Sequence, residues 1–189
     1  MAAGEAATLP RRQFKVADVV AMQEAGILAD GHCELLGGEL VTMAAKRNDH
    51  ELVKNGLVEF LMRRLPRAMR AVVESTLFLS DHEAPEPDIM VYPRQLLPEA
   101  VRGTDVVLVV EVGTESLRQD LGVKAALYAR AGVAAYWVVD ARARRVHVHQ
   151  GPLDDGNWRS QQICADTDPL PAIADLEPGS LAAILEEAA

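Results

Sequence analysis

The stretch VVLVVEV, residues 106–112, constrains the fold more than any other part of the chain. Its β-branched and aliphatic side chains are typical of a strand that is buried on both faces. Glu111 lies near the end of this stretch. An ionised carboxylate in apolar surroundings costs several kcal/mol, or shifts its pKa, unless it is paired. The sequence therefore predicts a central strand whose acid needs a partner, either a buried arginine or a bound cation.

The composition favours a single domain with an aliphatic core. The chain has 189 residues, of which 49% are hydrophobic but only 4% aromatic, so Val, Leu and Ala must build most of the core. The formal net charge of -9 disfavours a general nucleic-acid coat but does not exclude a local basic patch. We expect residues 1–13 to form a flexible tail and residues 14–189 to form one domain.

The cysteine content and the hydropathy pattern indicate a cytoplasmic protein. Cys33 and Cys164 are too few and too far apart for a disulfide framework or a metal-ligand spacing, so we expect both thiols to be reduced. The N-terminus lacks the apolar segment of a signal peptide. No run approaches the roughly 18 apolar residues that a transmembrane helix needs, so no membrane partner is expected.

Turn signals and periodicity divide the first part of the chain. The Gly37-Gly38 pair predicts a two-residue hairpin turn that sets Glu34 opposite Val41. Helices are expected over residues 16–25 and 49–65, the first ended by a glycine and the second by a proline. The second helix has one apolar face, formed by Val53, Leu57, Phe60 and Leu61.

The second part of the chain alternates strand-like and helix-like segments. A helix ended by Gly132 should follow the central strand. Strands are expected over residues 71–79, 88–92, 105–112, 135–140, 144–150 and 158–164, and a last helix over 181–187. This order predicts an α/β (α+β) fold with a mixed central sheet flanked by helices.

Three acids lie in or beside predicted strands, and they need a common explanation. They are Glu34, Asp88 and Glu111. If the strands are neighbours, the carboxylates converge and repel one another unless a cation lies between them. Mg²⁺ and Mn²⁺ prefer oxygen ligands and would relieve that repulsion.

Lys124 lies in the helix that follows the strand of Glu111. When that helix folds back on the sheet, the ammonium group approaches the end of the strand, where it can position a water or stabilise charge on a phosphate. Asp120 precedes Lys124 by four residues, a spacing that can orient the lysine. Two acids and a lysine around a metal suit metal-assisted phosphodiester hydrolysis.

Four stretches resemble one known family: CELLGGELV, PEPDIMVY, VVLVVEVGTES and DLGVKAALYARAGVAAYWVVD. They are similar to the Uma2 family of restriction-endonuclease-like proteins, also described as a domain of unknown function, in the PD-(D/E)XK nuclease superfamily. The resemblance implies a restriction-endonuclease-like core and cleavage of DNA as the substrate. It assigns Asp88 and Glu111 as metal ligands for Mg²⁺ or Mn²⁺, Lys124 as a catalytic residue, and Glu34 as a further acid acting through a water or a second ion.

The chain departs from the usual pattern at three places. The simplest superfamily pattern has a lysine two residues after the second acid, where this chain has Gly113. The loop VGTES replaces a serine- and proline-containing loop, and Ala135 replaces a common acid. No proposed ligand is lost, but the shape of the site is affected.

Several polar residues have both a functional and a structural explanation. His50 can approach the site or lie on the surface. His147 and His149 alternate as a metal pair might, but an exposed edge-strand face is the preferred interpretation. The cluster Arg63, Arg64, Arg67 and Arg70 can contact a phosphate backbone or offset the acidic surface around it.

Two functions from different classes follow. The first is a Mg²⁺- or Mn²⁺-dependent endonuclease acting on DNA. The second is a non-catalytic binding or regulatory module on the nuclease fold, with a homodimer as one form of it. The acidic net charge and the altered loop VGTES favour the second.

Overall fold

The computed structural model of the protein describes residues 11–28, 33–43 and 47–188. The chain divides into two compact units. The first takes the described residues up to Met43 together with Ser80–Ala84, and the second takes the other described residues. Residues 1–10 of the expected tail lie outside the described residues, and the single domain over 14–189 stays a prediction. No described helix is long and apolar enough to cross a membrane.

The first unit begins with α1 (Val16–Glu24), which lies where the sequence predicts a helix. The backbone of Lys15 donates to the Asp18 carboxylate at 2.9 Å, so the first turn is capped from within. Gly26 has a φ of 72°, a conformation that favours glycine, and it follows the helix directly. The predicted helix and its glycine stop are therefore confirmed.

A two-stranded hairpin completes the first unit. β1 (Cys33–Leu36) and β2 (Glu39–Thr42) pair antiparallel, with Glu34 opposite Val41. Gly37 and Gly38 connect the strands with φ values of 60° and 76°, which fit a type I′ turn. The predicted hairpin and its register are confirmed.

A six-stranded mixed sheet forms the centre of the second unit. Its strands follow one another in the order of the chain. Every neighbouring pair is antiparallel except β5 and β6, which are parallel. The strands are β3 (Met69–Val73), β4 (Ile89–Pro93), β5 (Leu108–Gly113), β6 (Ala135–Asp140), β7 (Arg145–Pro152) and β8 (Trp158–Ala165). The predicted mixed central sheet is confirmed.

One face of this sheet packs against α2 (Asn48–Arg64) and α5 (Leu181–Glu187). The helix α2 buries the apolar face expected from its periodicity, and Leu65 ends it before a proline. Alternate residues of β5, including Val110, contribute to the same core. This core holds α2 against the sheet through Val53, Leu57, Phe60 and Leu61.

The opposite face packs against a composite helix that connects β5 to β6. This helix consists of α3 (Leu117–Gln119), a π-helical turn (Asp120–Lys124) and α4 (Ala125–Arg130). Short 3₁₀ turns at Pro98–Ala100 and Gly103–Asp105 connect β4 to β5. Since β5 and β6 are parallel, both strands end at the same edge of the sheet.

Two expectations differ from the structure in detail. β3 ends at Val73 rather than continuing to residue 79, because Glu74 has a φ of 48° and leaves the extended conformation. The exposed edge-strand face expected for His149 is wrong. β7 is not the edge strand, because β8 pairs with it. The His149 ring packs 5.6 Å from the Tyr136 ring and 5.7 Å from the Trp158 ring.

Candidate active site

Two strand acids lie at the same end of neighbouring strands. Ile89 of β4 pairs with Val110 of β5, and continuing that antiparallel register by one residue sets Asp88 opposite Glu111. The Asp88 carbonyl accepts a hydrogen bond from the Glu74 amide at 3.2 Å, so its backbone still follows the sheet. Each acid has only 5% of its surface exposed. Buried carboxylates in this position need donors or cations around them.

Asp88 receives two contacts through one oxygen. The Val112 amide donates to Oδ2 at 2.8 Å, and Nε2 of His50 lies 3.1 Å from the same atom. The other ring nitrogen of His50 lies 3.1 Å from Oε1 of Glu51. Burial opposes a charge on His50, but the hydrogen bonds and charges of Asp88 and Glu51 outweigh it and raise the pKa of His50. His50 and the Val112 amide thus hold the Asp88 carboxylate in one orientation.

Glu111 receives two donors from the composite helix. Lys124 Nζ donates to Oε1 at 2.9 Å, and the Tyr128 hydroxyl donates to the same oxygen at 3.0 Å. Lys124 and Tyr128 are four residues apart and both are buried. A strand acid and a helix lysine, 13 residues apart in sequence, form a buried ion pair. The partner that Glu111 requires is therefore a lysine and not an arginine.

The π-helical turn explains how Lys124 is presented. The Asp120 carbonyl accepts the Ala125 amide at the end of this turn, and the Tyr136 hydroxyl of β6 also donates to it at 3.0 Å. π-Helical turns inside α-helices occur frequently at functional sites. Asp120 is buried, and its proposed role in orienting Lys124 stays a prediction.

Gly113 shows why the lysine comes from the helix. A Cβ atom at this position would lie 2.8 Å from Leu117 Cδ2 and 3.1 Å from Asp120 Oδ2, both of them in the composite helix. The space beside the strand at residue 113 is thus already filled by the helix. Lys124 brings an ammonium group to Glu111 from that helix, whereas a side chain at position 113 would require Leu117 and Asp120 to shift.

A second buried lysine, Lys54, extends the polar network that includes His50 and Glu51. Lys54 Nζ donates to Glu51 Oε1 at 2.9 Å and also bonds the Glu74 carboxylate. Burial opposes the charge of Lys54, but the two carboxylates outweigh it and raise the pKa of Lys54. Hydrogen bonding to Lys54 lowers the pKa of Glu51. The network therefore connects α2 to the strand end that carries Asp88.

The sequence-based candidates fall into two groups. Asp88, Glu111 and Lys124 belong to the second unit, where Lys124 contacts Glu111 and the sheet register sets Asp88 opposite Glu111. Glu34 is buried in the hairpin of the first unit, and its role stays a prediction. No group of three or more His, Cys, Asp or Glu side chains in the described part of the chain is arranged to hold a metal ion.

Sequence reasoning missed two functional candidates and left a third open. Tyr128 and Lys54 were not singled out, because Glu111 and Glu74, which they contact, lie 17 and 20 residues away in sequence. His50 was left between the site and the surface, and the structure buries it against Asp88. Asp88 and Glu74, which contact His50 and Lys54, lie 38 and 20 residues away in sequence, so no local spacing indicated either contact.

The sequence of the chain matches the model of one protein family. The model of the Uma2 family, described as "Putative restriction endonuclease", matches residues 17–182. The chain belongs to the Uma2 family. The four stretches that resemble the family lie within that match, as do all the candidate site residues. A comparison with curated protein sequences finds no significant match.

Two solved structures are similar to the Uma2 chain. One is a crystal structure described as a "putative nuclease belonging to DUF820" from Anabaena variabilis, with a TM-score of 0.68, 14% identity, and coverage of 85% of this chain and 93% of that chain. It establishes the restriction-endonuclease-like fold. The other is the type IIG restriction endonuclease BpuSI, with a TM-score of 0.43, 18% identity, and coverage of 74% of this chain and 15% of that chain. A likeness this distant adds nothing to the fold assignment.

Proposed function

We propose that this Uma2 protein is a metal-dependent nuclease that hydrolyses phosphodiester bonds of DNA. The observation that carries the proposal is the buried ion pair between Lys124 and Glu111, which lies at the strand end next to Asp88. Buried ion pairs are costly to form, so a buried pair beside a second buried acid is a candidate functional site. Family membership and the nuclease fold support the same reaction class.

The donor set fits Mg²⁺ or Mn²⁺. Asp88 and Glu111 supply carboxylate oxygens on adjacent strands, which hard divalent ions prefer. Mg²⁺ is commonly held by one or two carboxylates with waters and substrate phosphate, so a third protein side chain is not required. Bound there, the ion would polarise the phosphoryl oxygen and lower the pKa of a bound water. Glu34 remains a candidate for a water-mediated or second-ion contact.

The residues around the two acids would position the attacking water, stabilise charge on the phosphate and orient the two carboxylates. Lys124 holds its ammonium group at Glu111, where it can position the attacking water and stabilise negative charge that develops on the phosphate. The Tyr128 hydroxyl keeps the Glu111 carboxylate in one orientation. His50 and the Val112 amide do the same for Asp88. Ligands whose orientation is set before substrate arrives lose little entropy on binding it.

A nicking assay tests the proposal. Purified protein with Mn²⁺ should nick supercoiled DNA, and Lys124→Ala should lower the rate by about 10²-fold or more, as removal of a charge-stabilising donor does. The matched control is Lys15→Ala, which removes a lysine from an exposed ion pair with Asp81. Thermal melting should show that both variants are folded at the assay temperature. Equal nicking by wild type and Lys124→Ala would exclude the assigned role.

A second function, a non-catalytic binding module, is favoured by one observation. Asp88 and Glu111 each already have a side-chain partner within the protein, the His50 ring and the Lys124 ammonium group. If these pairs only neutralise buried charge, no ion is needed. Calorimetry separates the two functions, because the nuclease should release or absorb heat with Mn²⁺ and melt at a higher temperature in its presence. No heat and an unchanged melting temperature would favour the module.

A further inference from the structure

Four charged residues surround the rim of the candidate active site. Arg47 and Asp49 lie at the start of α2, next to His50. Glu115 follows β5 by two residues, and Arg142 follows β6 by two residues. Since β5 and β6 are parallel, both strand ends point to the edge of the sheet that carries Glu111. We name Arg47, Asp49, Glu115 and Arg142 the rim quartet.

The two arginines of the rim quartet share the same two carboxylates. Arg47 lies 3.7 Å from Asp49 and 3.8 Å from Glu115, and Arg142 lies 3.7 Å from Asp49 and 3.9 Å from Glu115. These separations are longer than a hydrogen bond. The arginine side chains remain about half exposed, at 55% and 52%. The two guanidinium groups thus lie near the same two carboxylates, but at distances too long for hydrogen bonds.

Loose exposed ion pairs are easily exchanged. Pairs of this kind contribute little to stability because water and salt screen them. A phosphate offers several oxygens to the planar fork of an arginine and forms bidentate, charge-assisted hydrogen bonds. A chain with a formal net charge of -9 has to present local cations where a polyanion approaches. The rim quartet provides two of them beside the acids and Lys124.

The other basic cluster is placed differently. Arg63 pairs with Glu59 and Arg64 with Glu187, near the carboxyl end of α2. With a rise of about 1.5 Å per residue, the helix separates this cluster from the rim quartet by roughly 20 Å or more. Arg64 also donates through Nε to Glu187 at 2.9 Å, a closer contact than any in the rim quartet.

We propose that Arg47 and Arg142 bind backbone phosphates of DNA entering the site, and that the phosphates replace Asp49 and Glu115 as their partners. The inference rests on the proposed nuclease function and identifies where the substrate strand is held. Asp49 and Glu115 act as competing anions that occupy the arginines when no nucleic acid is bound. The surface therefore recognises a phosphodiester backbone and carries no base specificity of its own.

The proposal predicts effects of opposite sign within the quartet. Arg142→Ala should weaken binding of a labelled DNA duplex about tenfold and make the slope of log affinity against log salt shallower by about one unit. Glu115→Gln should tighten binding several-fold, because it frees both arginines from one competitor at nearly constant side-chain size. Fluorescence anisotropy in EDTA measures both, so binding is read without hydrolysis.

The matched controls lie at the other end of α2. Arg64→Ala and Glu187→Gln remove the members of a pair whose arginine is as exposed as Arg142, and they should leave the affinity and the salt slope unchanged. A gain in binding by Glu115→Gln cannot arise from unfolding. This variant therefore tests the proposal even if the arginine variants are less stable than the wild type. Weaker binding only for Arg64→Ala, unchanged binding for Arg142→Ala and Glu115→Gln, or no DNA binding by wild type would overturn the inference. Quartet-dependent binding without nicking in Mn²⁺ would overturn the proposed function alone.

Discussion

At the scale of single residues, the site is defined by how its buried charges are satisfied. Asp88 and Glu111 each accept two contacts through one carboxylate oxygen. Removing one partner of a buried charge is costly because the remaining charge is left without compensation. The donors around each acid therefore determine its orientation as well as its stability. Of these donors, His50 is the one whose side chain comes from α2.

His50→Ala should weaken Mn²⁺ binding by about ten- to a hundredfold, the effect that partners of metal ligands usually have. The reason is that Asp88 loses the donor that orients it, while the carboxylate itself is retained. His50→Asn, which keeps an N–H donor near Asp88, should retain more of the affinity than His50→Ala. Calorimetric titration with Mn²⁺ measures both variants.

His147→Ala provides the control for that titration. His147 is a partly buried histidine on β7, and burial lowers its pKa, so its removal tests for a general effect of losing an imidazole. It should bind Mn²⁺ as the wild type does. A His50→Ala variant with wild-type affinity would show that His50 stabilises the fold without positioning Asp88.

At the scale of secondary structure, the composite helix brings the lysine to the strand acid. Its π-helical turn places Lys124 and Tyr128 on Glu111, and the Tyr136 hydroxyl satisfies the Asp120 carbonyl within the turn. A neutral buried hydrogen bond contributes about 1 kcal/mol, and this one adds to the backbone bond that the Asp120 carbonyl accepts from Ala125. Tyr136 should therefore support both the turn and the position of the lysine.

Tyr136→Phe should lower the free energy of unfolding by about 1–2 kcal/mol and lower the nicking rate more than the affinity for DNA. The Asp120 carbonyl would lose its side-chain donor, and the π-helical turn would relax toward an ordinary helix. Tyr92→Phe is a close control, because the buried Tyr92 hydroxyl has no hydrogen-bond partner among the described residues. Urea unfolding and single-turnover nicking check the pair. If both tyrosine variants lose equal stability and activity, the turn has no special role.

The elements that the sequence predicts are those with a local signal. The Gly37-Gly38 turn fixes its register through φ, and the apolar face of α2 follows from helical periodicity. The position of Lys124 in the helix after the Glu111 strand suggested that it approaches the strand end, but the π-helical turn that carries it leaves no trace in hydrophobic spacing. Tyr128 and Tyr136 look like core residues in sequence, since the hydrogen bonds of their hydroxyl groups depend on tertiary contacts. The early end of β3 depends on the backbone of Glu74, which propensity does not predict.

At the scale of the whole second unit, the central sheet separates two cores with different polar content. The face toward α2 and α5 is mostly aliphatic, with Phe60 and Trp137 as its buried aromatic residues, whereas the core on the other face contains Tyr92, Tyr128, Tyr136 and Trp158. His149 packs between Tyr136 and Trp158, and its Nδ1 has no hydrogen-bond partner in the described part of the chain. Burial lowers the pKa of His149, with the nearby His147 acting in the same direction. The neutral ring is therefore part of this core.

This core should lose stability in mild acid. Because the pKa of His149 is lower in the folded protein than in the unfolded chain, the unfolded chain binds a proton more readily once the pH falls below about 6.5. The contribution of a neutral His149 is complete above that pH and declines until the pH passes the folded pKa. The raised pKa of His50 acts in the opposite sense, since its partners favour the protonated ring at low pH.

His149→Gln isolates the contribution of His149 from that of His50. The variant should be less stable than the wild type at pH 8, because it loses the ring packing, but its melting temperature should decrease less between pH 8 and pH 5. His147→Gln, at a less buried position, should change the pH dependence less than His149→Gln does. Thermal melts across this range measure both slopes. An unchanged slope in His149→Gln would mean that acid sensitivity arises elsewhere, and the carboxylates paired with Lys54 and Lys124 would then be the next groups to test.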